Sequence, residues 1–139
     1  MIVVDSSAVI AILFGERSAE ALLARLAEDP ERLISVASYL EAGTVLAGRR
    51  RANRSQATGD LDEFLEASGI ELAPIDPDQA RLALSARITY GRGMGHGGAL
   101  NFGDAFSYAL AKVLNAPLLF DGDDFAATDI SPALARDRR

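Results

Sequence analysis

NFGDAFSYALAKVL, residues 101–114, is the segment from which the rest of the chain is best understood. Its apolar residues recur every three or four positions, the pattern of an amphipathic helix: Phe102, Ala105, Phe106, Ala109, Leu110, Val113 and Leu114. Asn101 is a favourable N-cap, and Asp104 falls in the first turn. Because a glycine-rich run, residues 91–98, precedes this helix, its start should lie on an exposed rim. The sequence therefore predicts that Asp104 is either a helix cap or a ligand.

Short apolar runs alternate with helical patterns along the rest of the chain. The predicted strands are residues 2–4, 33–36, 70–73 and 118–120. The helix that begins near Pro77 is expected to bury Ala80, Ala83, Leu84 and Ile88. This alternation predicts an α/β fold with a mainly parallel sheet. Since neither a linker nor an internal repeat interrupts the 139 residues, we expect a single domain over residues 1–139.

Composition narrows the functional classes. No apolar run is long enough to span a membrane, and MIVVDSS at the start reads as a buried strand. The chain has no cysteine and one histidine, His96, which excludes disulfides and multi-histidine zinc sites and favours a cytoplasmic protein. The net charge of −6 argues mildly against a protein that coats nucleic acid. Arginines nevertheless cluster at two places: Arg49, Arg50, Arg51 and Arg54, then Arg136, Arg138 and Arg139.

Acidic residues occur where predicted elements begin or end. Asp5 follows the first strand, Glu41 and Asp104 lie near helix starts, and a turn with three aspartates follows the last strand: Asp121, Asp123 and Asp124. In α/β folds, ligands bind outside the carboxyl ends of the parallel strands, and helix starts can face the same edge. We therefore expect these carboxylates to converge on one pocket.

Each acid also has a purely structural explanation. Asp5 can cap the following helix, Ser38 with Glu41 matches a capping box, and the turn aspartates suit any turn. When each acid is considered alone, Glu41 and the turn aspartates are better explained as structural residues. Taken together, clustered carboxylates repel one another unless cations intervene, and hard oxygen ligands without cysteine or histidine suit Mg²⁺ or Mn²⁺. Such ions support phosphodiester hydrolysis by polarising a phosphoryl oxygen and activating a water.

Four motifs, in order, give the chain a family resemblance: VVDSSA, SYLEAG, NFGDAFSYALAK and LLFDGDDF. With this spacing they resemble the PIN-domain ribonucleases and, more narrowly, the VapC-type toxins of bacterial toxin–antitoxin pairs. The resemblance implies a single-domain three-layer α/β sandwich, a homodimer and a Mg²⁺-dependent endoribonuclease that cleaves RNA. It also implies a cognate antitoxin that blocks the site.

Carried over motif by motif, the resemblance makes Asp5, Glu41, Asp104 and Asp124 the catalytic acids and metal ligands. The fourth position stays open, because Asp123 is a further candidate ligand and Asp121 stands where the family often has a basic residue. Ser7 is a candidate hydroxyl that orients a carboxylate or a water; capping the first helix is its alternative role.

Several other residues are candidate contacts to partners. Arg87, Arg92 and His96 flank the glycine-rich rim and are candidates for RNA phosphates, although His96 is also typical of a solvated loop. The arginines of residues 49–54 and the first two helices are the expected docking surface for the antitoxin, with an antitoxin arginine entering between Asp5 and Asp104.

Other functional classes fit less well. A receiver-like phosphoacceptor domain needs a lysine after a late strand, and none follows residues 118–120. An aspartate-nucleophile phosphatase usually has a second aspartate two residues after the first, where this chain has Ser7. A PIN-type module that only binds its ligand is the remaining alternative, and the presence of every acidic position argues against it.

Overall fold

Strands and helices alternate along the computed structural model, which describes residues 1–50 and 52–135. The predictions for Arg51, Arg136, Arg138 and Arg139 lie outside these residues. The strands are β1 (Ile2–Val4), β2 (Arg32–Ser35), β3 (Ile70–Ala73) and β4 (Leu118–Leu119). The helices are α1 (Ser6–Leu13), α2 (Ala19–Ala27), α3 (Val36–Arg49), α4 (Ala57–Ala67), α5 (Pro77–Tyr90) and α6 (Phe102–Leu114), with a 3-10 turn at Arg54–Gln56. In the described part of the chain, none of the helices is long and apolar enough to cross a membrane.

The strands form one sheet in the order β3-β2-β1-β4, and every neighbouring pair is parallel. Val3 of β1 is paired with Leu33 on one side and Leu118 on the other. β1 is thus an inner strand, and its three residues are fully buried. The α/β prediction with a parallel sheet is confirmed. β2 begins and ends one residue earlier than predicted.

Helices cover both faces of the sheet. Since successive side chains of a strand point to opposite faces, Ile2 and Val4 pack with α1 to α4, whereas Val3 packs with α5 and α6. This three-layer arrangement sets the carboxyl ends of β1 and β4 and the start of α6 around one edge, where the acidic residues lie.

The start of α3 differs from its prediction. The helix begins at Val36, directly after β2, and the side chain of Ser35 caps it by accepting from the Ala37 amide at 3.3 Å. Ser38 lies inside the helix and is fully buried. The capping-box interpretation of Ser38 with Glu41 is therefore wrong, because the extended residue at the strand end already supplies the cap. Glu41 remains free for another role.

The buried side of α5 also differs from its prediction. Leu84 is 63% and Ile88 57% exposed, and Ala80 is exposed as well, so only Ala83 lies inward as expected. The reason is that Ala83 packs tightly on Ala105 and Ala109 of α6, which leaves the larger side chains outside. Phe102 of α6 is 74% exposed. The exposed side of these two helices forms an apolar groove of about 340 Å³, lined by Ala80, Ala83, Leu84, Arg87, Ile88, Met94, Phe102, Ala105 and Phe106.

Candidate active site

Asp5 stands where β1 passes into α1. Its amide donates to the Leu119 carbonyl of β4, which ties it to the sheet edge. One carboxylate oxygen, Oδ2, accepts from the Ser7 amide at 3.0 Å and caps α1, while Oδ1 accepts from the Ser107 hydroxyl at 2.5 Å. Asp5 is only 1% exposed. Burial raises its pKa, and the hydrogen bonds from Ser107 and Ser7 oppose that shift.

A chain of buried hydroxyls holds Asp5 in place. Ser107 of α6 donates to Asp5, and its hydroxyl lies 2.8 Å from that of Ser38 of α3. Both serines are fully buried. The sequence analysis did not single out this pair as part of the site. A signal was present, however, because Ser107 lies three residues after Asp104 and thus on the same side of an α-helix.

Asp104 is both a cap and a member of the acidic cluster. It completes a capping box with Asn101: the Asn101 amide donates to Asp104 Oδ2 at 3.1 Å, and the Asp104 amide donates to Asn101 Oδ1 at 2.8 Å. The predicted N-cap is confirmed. Burial raises the pKa of Asp104 to about 8, with further contributions from the charges of Asp5 and Asp124, against the lowering effect of the Asn101 amide.

Glu41 reaches the same edge from α3. Its side chain is half-buried, and Oε1 accepts a short hydrogen bond from the Ser6 hydroxyl. Burial raises the pKa of Glu41, the Ser6 hydroxyl opposes the shift, and the charges of Asp5 and Asp124 add to it. Ser6 was also missed in the sequence analysis, although it directly follows Asp5.

The acidic turn after β4 contributes Asp124. The Ser7 hydroxyl accepts from the Asp121 amide at 2.9 Å and so anchors the turn to α1. Asp124 acts electrostatically on both Glu41 and Asp104, and the next residue, Phe125, is buried against Phe120 with ring centroids 4.9 Å apart. Asp121 and Asp123 instead line a neighbouring cleft of about 590 Å³, together with Glu16, Arg17 and other residues. Of the turn acids, Asp124 therefore lies with the cluster.

The four carboxylates of Asp5, Glu41, Asp104 and Asp124 form what we call the acidic cluster. The groups that shift the pKa values of its first three members are acids, hydroxyls and amides, and no lysine or arginine of the described residues is among them. Its chemistry fits a hard divalent cation, because such a cation prefers carboxylate oxygens and offsets their repulsion. Within residues 1–50 and 52–135, no group of three or more acidic or histidine side chains is already spaced to hold one ion. The chemistry of the donors fits the ion, although the described side chains are not spaced to enclose one.

The basic residues that were predicted to contact RNA or the antitoxin lie outside the acidic cluster. Arg87 donates to the Leu100 carbonyl and lines the apolar groove, while Arg92 and His96 are exposed in the glycine-rich loop. Among the other arginines, Arg49 lies over the Phe14 ring at 4.6 Å, and Arg50 pairs with Asp60. The structure does not place any of these side chains among the groups that act on the acidic cluster.

Comparison with known proteins identifies the family. The PIN domain model matches residues 2–131. Ribonuclease VapC42 of Mycobacterium tuberculosis is 44% identical over 131 residues, which is 94% of this chain and 98% of that protein. Ribonuclease VapC28 of the same organism is 46% identical over 134 residues, covering 96% and 98%.

Solved structures share the fold at lower identity. The crystal structure of VapC20 from Mycobacterium tuberculosis, a Sarcin-Ricin loop cleaving toxin, has a TM-score of 0.72 at 18% identity and covers 94% of this chain and 96% of its own. VapBC2 from Rickettsia felis, bound to a DNA fragment from the promoter, has a TM-score of 0.70 at 20% identity, with coverage of 95% and 96%. The chain thus belongs to the PIN-domain family and, within it, to the VapC ribonucleases, which confirms the resemblance seen in the sequence.

Proposed function

We propose that this protein is the toxin of a toxin–antitoxin pair and cleaves RNA phosphodiester bonds internally with the help of Mg²⁺, which Mn²⁺ can replace. The observation that supports the metal dependence is the acidic cluster: burial raises the pKa values of Asp5, Glu41 and Asp104, and no lysine or arginine of the described residues is among the groups that shift them. The extensive identity to proteins named ribonucleases supports the reaction.

In this proposal Asp5, Glu41, Asp104 and Asp124 hold the ion. A bound divalent cation would supply charge to the scissile phosphoryl group and lower the pKa of a water. Asp5 and Asp104 form the buried floor, since they are only 1% and 4% exposed. Glu41 and Asp124 are half-buried and form the rim that RNA meets first.

The serines around the floor keep its oxygens oriented. Ser107 and the Ser7 amide hold the two oxygens of Asp5, and the Ser7 hydroxyl fixes the turn that presents Asp124. Preoriented ligands avoid reorganisation when the reaction begins. Ser7 is thus assigned to the site as a supporting residue that acts through the Asp121 amide.

The experiment that tests the function is a cleavage assay with purified protein and a structured RNA. Cleavage at internal positions should require Mg²⁺ or Mn²⁺ and should stop on addition of EDTA. Ca²⁺, a larger ion with looser geometry, serves as a control that binds oxygen ligands. RNA cleavage that persists unchanged in EDTA would refute the proposal, and tight RNA binding without cleavage under all metals would favour a binding module instead.

An antitoxin is the proposed protein partner, in line with the solved toxin–antitoxin complexes that share this fold. The predicted position of the antitoxin arginine, between Asp5 and Asp104, is almost inaccessible. We therefore propose instead that this arginine binds at the rim formed by Glu41 and Asp124, because an arginine forms bidentate bonds with carboxylates. In a complex with the product of the adjacent gene, replacing that arginine by alanine should restore cleavage even where binding survives. Inhibition that no arginine substitution relieves would leave steric blocking as the mechanism.

A second copy of the chain is the proposed occupant of the apolar groove. Leu84, Ile88 and Phe102 are each more than half exposed there, and a contiguous apolar patch of this kind on two adjacent helices suits a symmetric dimer. Light scattering should give twice the mass of the 14.7 kDa chain. Ile88→Glu should yield a monomer, whereas Leu23→Glu on α2, outside the groove, should leave the dimer intact. A monomeric wild-type protein at micromolar concentration would contradict this assignment.

A further inference from the structure

Gly103, the second residue of α6, lies directly against the carboxylate of Glu41. A Cβ atom added to Gly103 would lie 2.1 Å from Glu41 Oε2, 2.8 Å from Cδ and 3.1 Å from Oε1. Real Cβ atoms essentially never approach another atom within 3.0 Å, so two of these separations would require the Glu41 side chain to shift. The φ of Gly103 is not positive, so its backbone does not itself demand glycine. A preference for glycine at this position therefore comes from space, because a Cβ atom would displace the Glu41 carboxylate.

Other helical glycines show no such requirement. Gly48 in α3 and Gly59 in α4 would place a Cβ where nothing lies within 4 Å. Gly59 is the third residue of its helix and therefore occupies a first turn, as Gly103 does. It provides a matched control, because the same substitution changes helix propensity at both positions but brings a new methyl group against a carboxylate only at Gly103.

Glu41 can move away from such a methyl group only by leaving its present contacts. Its Oε1 is held by the Ser6 hydroxyl, and the side chain is half-buried between α1 and the start of α6. Asp5 and Asp124 lie close enough to act on it electrostatically. The helix start offers partial positive charge that favours an anion at this point. A side chain at position 103 would therefore push the carboxylate out of the acidic cluster.

We propose that Gly103 is a positioning residue: the missing side chain forms the space in which Glu41 reaches the acidic cluster from another helix. The proposal deepens the proposed function and rests on it in one respect, namely that Glu41 serves as a ligand for the cation. It assigns a role in the site to the glycine of the NFGDA motif, whose own side chain contributes no chemical group.

A double-mutant cycle measured in EDTA and without RNA tests the contact itself. Gly103→Ala should lower the midpoint of thermal unfolding by several degrees in the parent protein. In a Glu41→Ala background the same substitution should leave the midpoint unchanged or raise it, since the obstructing carboxylate is gone. Gly59→Ala should behave alike in both backgrounds. Equal shifts for Gly103→Ala with and without Glu41 would overturn the proposal. If Gly103→Ala alone does not fold, recovery of folding by the double variant supports it.

Metal binding and cleavage test the consequence. Gly103→Ala should weaken Mg²⁺ or Mn²⁺ binding, measured by calorimetry, by about 10- to 100-fold and slow cleavage by about 100-fold, while Gly59→Ala changes neither. Adding Glu41→Asp, which shortens the acid by one methylene, should recover part of the loss in the Gly103→Ala protein. Unchanged metal affinity in Gly103→Ala would overturn the positioning role. A wild-type protein that binds the metal but cleaves no RNA would refute the proposed function and leave the binding and unfolding tests of Gly103 intact.

Discussion

Two carboxylates that lie along α6, Asp104 at its start and Asp129 nearer its end, have opposite surroundings and opposite pKa shifts. At the start of the helix, Asp104 is buried beside other acids, and its pKa is raised to about 8 by burial first and then by Asp5 and Asp124. Towards the end, the Tyr108 hydroxyl donates to Asp129 at 2.5 Å and the Lys112 ammonium lies 3.0 Å from its other oxygen. These donors lower the pKa of Asp129. A lysine is paired with Asp129, whereas the groups of the described residues that act on Asp104 include no basic side chain.

This difference separates a structural acid from a candidate functional one. Asp129 fastens the segment after β4 to α6 and stabilises the fold without any outside partner. Asp29 behaves in the same way, since Arg25 and the N-terminal ammonium lower its pKa. In the acidic cluster, by contrast, neighbouring carboxylates repel one another, and an added cation can offset that repulsion.

Asp104→Asn should reduce RNA cleavage more strongly than the other substitutions. The cleavage rate should fall by more than about 100-fold, because even the loss of groups that merely orient a metal ligand weakens metal binding 10- to 100-fold. The metal-free fold should remain intact, since asparagine can still accept from the Asn101 amide and no longer repels Asp5. The matched variant Asp129→Asn should cleave at nearly the parent rate. Similar rates for the two variants in a gel-based cleavage assay would abolish the distinction.

The next effect distinguishes the acids of the turn. Asp124→Asn should slow cleavage by about 10- to 100-fold, because Asp124 acts on Asp104 and Glu41, whereas Asp123→Asn should stay close to the parent rate. Asp123 is exposed and lines the neighbouring cleft. If Asp123→Asn proves the more damaging in the same assay, the fourth ligand has been assigned to the wrong residue.

Ser107→Ala should have an intermediate effect, on stability and metal affinity together. It removes the donor to Asp5 Oδ1 and the partner of the Ser38 hydroxyl, and unpaired buried groups cost about 1–3 kcal/mol each. The Ser107 hydrogen bond also lowers the pKa of Asp5, so its loss should weaken Mg²⁺ binding most at acidic pH. Denaturant unfolding and metal titration measure these changes. Ser85→Ala, at an exposed position of α5, is the control; equal effects of the two variants would contradict the role of Ser107.

The pH dependence of unfolding should show the weakest effect. The folded pKa of Asp104 is raised from 3.8 to about 8, so its contribution to stability is present at low pH and is lost as the pH rises through about 8. In EDTA the unfolding temperature should therefore fall between about pH 5 and about pH 9, and Mg²⁺ should restore it more at the higher pH. Asp104→Asn should flatten this slope.

The pKa of Asp129 is lowered, so the contribution of Asp129 to stability depends on pH in the opposite direction. This contribution is present above pH 3.8 and is lost on acidification. Asp129→Asn should remove about 1 kcal/mol near neutral pH and flatten only the acid side of the curve. A metal-free unfolding temperature that rises steadily from about pH 5 to about pH 9 would contradict the account of Asp104.

The local features of the site follow from the sequence pattern. β3 has the bounds predicted for it, Asn101 caps α6 as expected, and Asp5 and Asp104 stand at the ends of the elements in which the pattern placed them. These features depend on residues within a few positions of one another, and the chemistry of strand ends and caps is local. The placement of acids after parallel strands was sufficient to anticipate a common edge.

The surfaces that those elements present depend on how the helices pack against one another. Leu84 and Ile88 follow a helical apolar pattern but lie outside, since the close contact of Ala83 with α6 selects the buried side of α5. The hydroxyls of Ser6, Ser38 and Ser107 become part of the site through residues up to 102 positions away. The space beside Gly103 exists because α3 brings Glu41 there. Such contacts join segments distant in the chain, so no local pattern records them.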